Sequence, residues 1–335
     1  MNIVIALAPV VAFLVLLQLM DSFRLVTIRA VLTTIAGGAV IAILWMPLHT
    51  WFLTTVDVDL KSFTRYIAPL TEEFGKALVV LVLFWRRRVG FLVDAAVLGF
   101  AVGAGFALVE NADYLIHLEN PSSALWLVRG FGTAVLHGAT TAIFAMVTRV
   151  MLERPGRTLV AASIPGVSLA VGIHSAFNHV LLPPLAMTAL LLLLLPLLIV
   201  LVFQHSERAT REWVTTGLDL DVELLQLVES EIFSATKFGT YLNELRSRVG
   251  GMVAADMFCM LRLDLEIAVQ AKALLLAREA GLNLPVSADL QAALRESAYL
   301  QRSIGHAGML ALKPLQVGSD RDRWHRFVLT TSTKT

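Results

Sequence analysis

Four apolar stretches of the sequence contain ionisable and amide side chains of the kinds that carry out hydrolysis. In the first stretch Glu72 and Glu73 are adjacent, and Lys76 lies four residues after Glu72, so Glu72 and Lys76 share one face of a helix. The next three stretches contain the remaining candidates: Glu110, His137, and the pair His174 and Asn178. Ionisable groups cost roughly 3 kcal/mol each in hydrocarbon and persist there when a partner or a function compensates. These six acidic, imidazole and amide residues are therefore the candidate catalytic set, with Lys76 beside them.

The chemistry that this set could support is the hydrolysis of a bond by water. A carboxylate can accept a proton from water, an imidazole can orient that water or stabilise an oxyanion, and an amide can donate a hydrogen bond. The same side chains could instead hold zinc or another divalent metal whose bound water is the nucleophile. The His-Glu-x-x-His pattern of the zincins is absent, so the sequence requires no cofactor and leaves both mechanisms open. The candidate ligands of a metal are Glu72, Glu110, His137 and His174.

The composition is that of a membrane protein. Of 335 residues, 57% are hydrophobic and 16% are charged, whereas soluble domains carry about 25% charged residues. A membrane-spanning helix needs roughly 20 apolar residues. The stretches that qualify are 2–20, 30–54, 66–85, 89–116, 126–150, 159–180 and 182–203. This pattern excludes a soluble enzyme and predicts an all-α, polytopic bundle of about seven transmembrane helices, in which Gly99 and Gly103 allow a neighbouring helix to approach closely.

The distribution of charge divides the chain into two parts. Residues 1–203 contain 22 charged side chains, and the shorter segment 204–335 contains 31. We predict a transmembrane domain over 1–203 and a cytoplasmic helical tail over 204–335. Apolar periodicity in the tail predicts helices over 219–248 and 252–280 and a third helix from about Ser287, with a break at Gly250-Gly251.

Basic residues between the predicted spans indicate the orientation of the chain. One set of loops contains eight of them and the opposite set contains three, and positively charged loops remain in the cytoplasm. The first set is Arg24, Arg29, Arg86, Arg87, Arg88, Arg149, Arg154 and Arg157, and the second is Lys61, Arg65 and Arg129. The bias predicts an integral protein of a bacterial-type cell membrane with its N-terminus outside and its tail in the cytoplasm.

The depth of the polar residues can be counted from the outer end of each predicted helix. Glu72, Glu110 and His174 lie about 9 Å deep, and His137 lies about 16 Å deep, at the rise of an α-helix. Four polar centres on four consecutive helices therefore fall in the outer half of the bilayer. This agreement predicts one water-filled cavity that opens toward the outer face.

These residues and their order resemble the PrsW family of intramembrane proteases and, more distantly, the CAAX-prenyl protease superfamily. The resemblance covers roughly residues 60–182. The motifs that carry it are Glu72-Glu73-x-x-Lys76, Gly105-Phe106-Ala107-x-x-Glu110-Asn111-x-x-Tyr114, His137 and His174-x-x-x-Asn178. The resemblance implies a peptidase of the glutamic or metal-assisted type, and the known member starts regulated proteolysis of a membrane-bound anti-sigma factor. The CAAX proteases have an arginine near the glutamate pair where this chain has Lys76, which argues against prenyl-protein processing.

Specific roles follow as hypotheses. Glu72 is the expected general base and Glu73 its support, while Lys76, Asn111 and Tyr114 are expected to bind substrate. The expected substrate is a membrane-spanning protein that is cut near its extracytoplasmic side, and the tail is expected to bind a cytoplasmic protein. Basic residues are spread through the tail rather than clustered, which argues against nucleic acid as a partner.

Two other classes of function stay open at this stage. Intramembrane Glu, His and Lys residues also build proton relays, so a proton- or ion-coupled transporter is the first alternative. A non-catalytic membrane scaffold with a partner-binding tail is the second. An inverted repeat with broken helices in both halves would favour a transporter, and the sequence contains none that we detect.

Overall fold

The computed structural model describes residues 2–21, 26–118, 122–154, 156–282 and 284–312, which are helical and contain no β-strand. The α-helices are α1 (Asn2–Met20), α2 (Ile28–Thr55), α3 (Leu60–Ser62), α4 (Ala68–Trp85), α5 (Leu92–His117), α6 (Ser123–Leu127), α7 (Ala134–Leu152), α8 (Leu159–Asn178), α9 (Pro184–Glu229), α10 (Lys237–Val249), α11 (Gly251–Glu279) and α12 (Ala288–Leu312). Two π-helical segments, π1 (Phe63–Ile67) and π2 (Val128–Thr133), lead directly into α4 and α7, and a 3₁₀ helix covers Glu231–Ala235. The all-α class predicted from the sequence is confirmed. Arg24, which entered the prediction of orientation, lies outside the described residues.

Several of the described helical segments are long and apolar enough to cross a membrane. There are five: Ile28–Thr55, Leu92–His117, Ser123–Leu152, Leu159–Asn178 and Pro184–Glu229. The apolar part of α1, Leu7–Leu19, is shorter, and α4, which carries three ionisable residues in its first half, is not one of the five. The chain is an integral membrane protein, and the described residues provide five such helices where hydropathy predicts seven.

Helix α5 is the central element of the first of two compact units, Met1–Ser206. It packs against α2 on one side and α7 on the other. Glycines permit this close packing: a Cβ atom added to Gly103 would lie 2.0 Å from the His137 carbonyl oxygen, and one added to Gly105 would lie 2.0 Å from the Ile35 carbonyl oxygen. The close helix approach predicted at Gly99 and Gly103 is confirmed, and it places α5 against the α7 backbone at His137.

The second compact unit, Glu207–Thr335, contains the end of α9 and helices α10 to α12. The predicted ends of two helices at Gly250 and Gly281 are confirmed, and both glycines have positive φ. The single helix predicted over 219–248 is wrong, because the chain leaves α9 at Ser230 and restarts at α10. The Thr236 side chain accepts a hydrogen bond from the Gly239 amide and caps the new helix.

Candidate active site

Four helices bring the predicted catalytic residues to one cavity of about 690 Å³ in the first unit. Helix α4 supplies Glu72, α5 supplies Glu110, α7 supplies His137, and α8 supplies His174 and Asn178. All five side chains line the cavity, as does Tyr114. The structure therefore brings together the residues whose helices and depths predicted a shared site, whereas their catalytic roles stay a prediction.

Glu73 lies behind this cavity rather than in its lining. Its side chain is buried, and Oε1 accepts hydrogen bonds from Lys76 Nζ (2.5 Å), His174 Nδ1 (2.9 Å) and Thr140 Oγ1 (3.1 Å). Three donors on one oxygen fix this carboxylate. Glu73 thus has the surroundings of a residue that orients His174.

Glu72, the neighbouring carboxylate, has the opposite surroundings. Its Oε2 atom is buried and has no hydrogen-bond partner. The same atom lies 3.9 Å from His137 Nδ1 and 3.9 Å from His174 Nε2. Buried carboxylate oxygens in proteins are nearly always hydrogen-bonded, so an unpartnered one facing two imidazoles indicates a position for a ligand.

Lys76 is fully buried and does not line the cavity. The sequence placed it on the face of Glu72, but its salt bridge is with Glu73, because residues three apart on a helix are also neighbours. Its Nζ also donates to His137 Nδ1 at 3.0 Å. The structure places Lys76 as a buried counter-ion within the site, and its expected contact with substrate gains no support.

Hydrogen bonds to carboxylates set the tautomers of the two histidines. His174 donates from Nδ1 to Glu73, and His137 donates from Nε2 to Glu110 Oε2 at 2.9 Å. Each ring is then left with one unprotonated nitrogen, and both of these nitrogens are the atoms nearest Glu72. The two rings are perpendicular, with centroids 4.9 Å apart.

This arrangement fits a divalent metal. Glu72, His137 and His174 each offer one ligand atom, and the three atoms lie within 4.8 Å of one another. Two imidazole nitrogens and one carboxylate form the three-residue ligand set of many catalytic zinc sites, and carboxylates behind the imidazoles are typical of metal-binding histidines. Glu110, the fourth candidate ligand, is not one of the three, because it contacts His137 at Nε2 whereas Nδ1 is the nitrogen nearest Glu72. A metal at His137 Nδ1 would replace the hydrogen bond from Lys76.

Asn178 and Ser175 on α8 contact the π1 segment. Asn178 Nδ2 donates to the Thr64 carbonyl at 2.8 Å, and Ser175 Oγ donates to the Arg65 carbonyl at 2.6 Å. The π-helix has wider hydrogen-bond spacing than the α-helix and often occurs at functional sites. In the structure the Asn178 amide therefore joins α8 to π1, while the side chain also lines the cavity.

Arg129 is a site residue that the sequence analysis missed, because it was counted as a loop charge. Its guanidinium is largely buried and lines the cavity. Nε donates to Asn111 Oδ1 at 3.1 Å, the group lies 3.4 Å from the Tyr114 ring, and Nη2 lies 3.2 Å from Glu110 Oε1. Asn111 and Tyr114 both contact Arg129, and their expected binding of substrate stays a prediction. The signal that could have found it is a charged residue inside a 30-residue apolar helix.

Apolar helices around a buried group of carboxylates and imidazoles define an integral membrane protein with a hydrolytic type of centre. The sequence model of one protein family, described as PrsW family intramembrane metalloprotease, matches residues 22–203. This match covers more than half of the chain, and the chain belongs to that family. No curated protein and no solved structure matches the chain.

Proposed function

We propose that the protein is an intramembrane endopeptidase that cuts a membrane-anchored protein near its extracytoplasmic side. The observation that carries the proposal is the buried, unpartnered oxygen of Glu72, which faces two imidazole nitrogens in a polar cavity among apolar helices. The family match supports proteolysis over the transporter and scaffold alternatives. The family resemblance also supports an anti-sigma-factor-like substrate in regulated proteolysis.

The roles of the residues follow from their contacts. Glu72 is the group that accepts a proton from water in the cavity, because it is the one carboxylate of the adjacent pair that lines the cavity. Glu73 and Glu110 accept hydrogen bonds from His174 Nδ1 and His137 Nε2, so the unprotonated nitrogen of each ring lies toward Glu72. At His137 this nitrogen also accepts a hydrogen bond from Lys76. Glu72, Glu73, His137 and His174 are buried, which strengthens the electrostatic interactions among them.

Glu72, His137 and His174 are also the residues that would hold a divalent metal, zinc being a common ion for such a set. A bound metal would polarise the peptide carbonyl and lower the pKa of a bound water. With a metal bound, Glu73 and Glu110 would still orient the imidazoles of His174 and His137.

The proposed topology has seven spans, with α1 and α4 added to the five apolar segments. Helix α4 belongs inside the bilayer in this proposal because its ionisable residues pair with groups on α7 and α8 and are shielded from lipid. Among the basic residues, Arg129 and Arg149 are buried within helices. Arg149 belongs to the loop set with eight basic residues and Arg129 to the set with three. The excess of basic residues in the first set therefore persists without them, and it still places the N-terminus outside and the tail in the cytoplasm.

The test of this proposal is cleavage of a single-span peptide by purified protein in detergent. Glu72→Gln keeps the shape of the side chain and removes its basicity, so we expect cleavage to fall by roughly 10²–10⁴-fold. Glu153→Gln is the matched control, because Glu153 pairs with Arg149 near the other end of α7. Unchanged cleavage in Glu72→Gln, with folded protein confirmed by thermal unfolding, would contradict the proposal.

Metal dependence is tested separately by removing divalent ions. We expect dialysis against a chelator to abolish cleavage, Zn²⁺ or another divalent ion to restore it, and Glu72→Gln to bind the restoring ion more weakly. Full activity in protein shown by mass spectrometry to be free of metal would leave Glu72 acting alone and would contradict the metal-dependent form.

A further inference from the structure

We infer that Arg129 is a positioning residue, which holds Glu110 so that Glu110 fixes the orientation of the His137 ring. The consequence for catalysis rests on the proposed function, but the structural effect does not. A chain of contacts carries the inference: Arg129 Nη2 lies 3.2 Å from Glu110 Oε1, and Glu110 Oε2 lies 2.9 Å from His137 Nε2. Each oxygen of Glu110 is thus directed to a different residue.

The guanidinium is itself held from two sides. Asn111 Oδ1 accepts a hydrogen bond from Nε, and the Tyr114 ring lies against the guanidinium face at 3.4 Å. Asn111 and Tyr114 are on α5, the helix that carries Glu110. Because a guanidinium is planar and has donors on both edges, it can stack and donate at the same time, which a lysine cannot do.

The π2 segment explains how Arg129 reaches this position. Arg129 and His137 are eight residues apart, and on a regular α-helix this spacing would offset them by about 80°. A π-helical turn accommodates one residue more than an α-helical turn, so the two residues are related as residues seven apart would be. Residues seven apart share a helix face, and both side chains line the cavity.

Partial burial strengthens the attraction between Arg129 and Glu110. Glu110 is 23% exposed at its side chain and Arg129 is 10% exposed, so water screens their attraction only in part. Without Arg129, Glu110 would lose its charged partner and would be free to turn away from His137. His137 would then lose the acceptor that holds its Nε2–H, while the hydrogen bond from Lys76 to Nδ1 would remain.

The test uses the full-length, metal-free protein in detergent, with histidine labelled by ¹⁵N. The wild type should show a His137 Nε2–H signal, assigned by comparison with His137→Ala, with the chemical shift of a hydrogen bond to a carboxylate. Arg129→Gln should move this signal toward the shift of a weaker hydrogen bond, while Lys76 keeps the proton on Nε2. Arg129→Lys, which keeps the charge without the stacked fork, should fall between the two. This NMR measurement requires neither metal nor cleavage, so its result is independent of the proposed function.

A second measurement asks whether Arg129 acts through Glu110. Zn²⁺ affinity, measured by competition with a chelator, should weaken roughly 10–100-fold in Arg129→Gln, and the same change should have no further effect in a Glu110→Gln background. Arg149→Gln is the control, since Arg149 is an equally buried arginine that bonds the Gly90 carbonyl away from the cavity. An unchanged His137 Nε2–H signal in Arg129→Gln, or equal and additive losses in the Glu110→Gln background, would overturn the inference. If Arg129→Gln does not fold, the same two measurements on Arg129→Lys decide the question.

Discussion

At the scale of single residues, the adjacent glutamates of α4 differ in every contact that decides their chemistry. Glu73 accepts three hydrogen bonds on one oxygen, and Glu72 has an oxygen that accepts none. The difference arises because neighbouring residues on a helix point about 100° apart. One carboxylate is directed to the cavity, and the other is directed to Lys76, Thr140 and His174.

The buried pair of Glu73 and Lys76 leads to a prediction about stability. Lys76→Met leaves the Glu73 carboxylate buried without its cation, which should lower the free energy of unfolding by about 3–5 kcal/mol. The double variant Glu73→Gln/Lys76→Met leaves no unpaired charge and should recover much of that loss. Thermal unfolding in detergent measures both. A double variant that is destabilised by the sum of its two single changes would show that the residues are not coupled.

Sequence alone located most of the polar residues that meet at the cavity, but it did not locate Arg129 or predict which partner each residue takes. The types and four-residue spacings located Glu72, Glu110, His137 and His174 on helices that converge. They could not distinguish the pairing of Lys76 with Glu73 from pairing with Glu72, because both lie within one turn of the lysine. The rotation of α4 about its axis, set by contacts with α7 and α8, decides the matter.

At the scale of helices, the close contact of α5 with α7 holds His137 in place. The Gly103 position has no room for a side chain, since a Cβ there would lie 2.0 Å from the His137 carbonyl oxygen. Backbone atoms of a helix cannot give way as a side chain can. The position of His137 therefore depends on a residue that takes no part in chemistry.

Gly103→Ala should accordingly destabilise the protein by about 1–3 kcal/mol, as overpacking does in well-packed interiors, and should reduce cleavage through displacement of His137. Gly172→Ala on α8 is the matched control, because no atom lies within 4 Å of its added Cβ. There we expect unchanged cleavage and stability that is equal or slightly higher, since alanine is the better helix former. Thermal unfolding and peptide cleavage are measured on both, and equal effects at the two glycines would contradict the packing argument.

Helix positions were largely predictable, whereas the interruptions within helices were not. Apolar runs located α2, α5, α8 and the continuous segment Ser123–Leu152 to within a few residues, because a membrane span needs about 20 apolar residues. The segments π1 and π2 have no such signal, since hydropathy averaged over a window does not register one extra residue in a turn. The loop assignment of Arg129 failed for the same reason.

At the scale of the whole molecule, α9 is a single helix of 46 residues that continues through the predicted end of the last span. The sequence placed a boundary between residues 203 and 204, and the two compact units meet in sequence at Ser206 and Glu207. Ser206 belongs to the first unit, where its hydroxyl accepts a hydrogen bond from the Val93 amide. Hydropathy alone could not predict this continuity, because a helix does not end where its composition changes.

Removal of the second unit tests whether the active site is complete without it. We expect deletion of residues 207–335 to preserve basal cleavage of a single-span peptide, because every described residue of the candidate site precedes Ser206. Deletion of 231–335, which leaves α9 whole, is the control for loss of helix length. Cleavage is compared at matched amounts of folded protein. Abolished cleavage in both deletions would show that the tail completes the enzyme rather than regulating it.

The extra residue in π2 makes the number of residues in this segment as important as their identity. Deleting one residue between Arg129 and Ala134 would allow regular α-helical hydrogen bonding, which is the more favourable backbone arrangement. The same deletion would leave the arginine seven residues before His137 on a regular helix, so the two residues would keep a shared face. One inserted residue, by contrast, would turn the arginine by about 100° relative to His137 and direct its charge toward lipid or another helix. Point substitutions in π2 and changes of its length are thus different kinds of mutation. In homologous chains, an inserted residue within this segment would indicate a rebuilt site even where every catalytic side chain is retained.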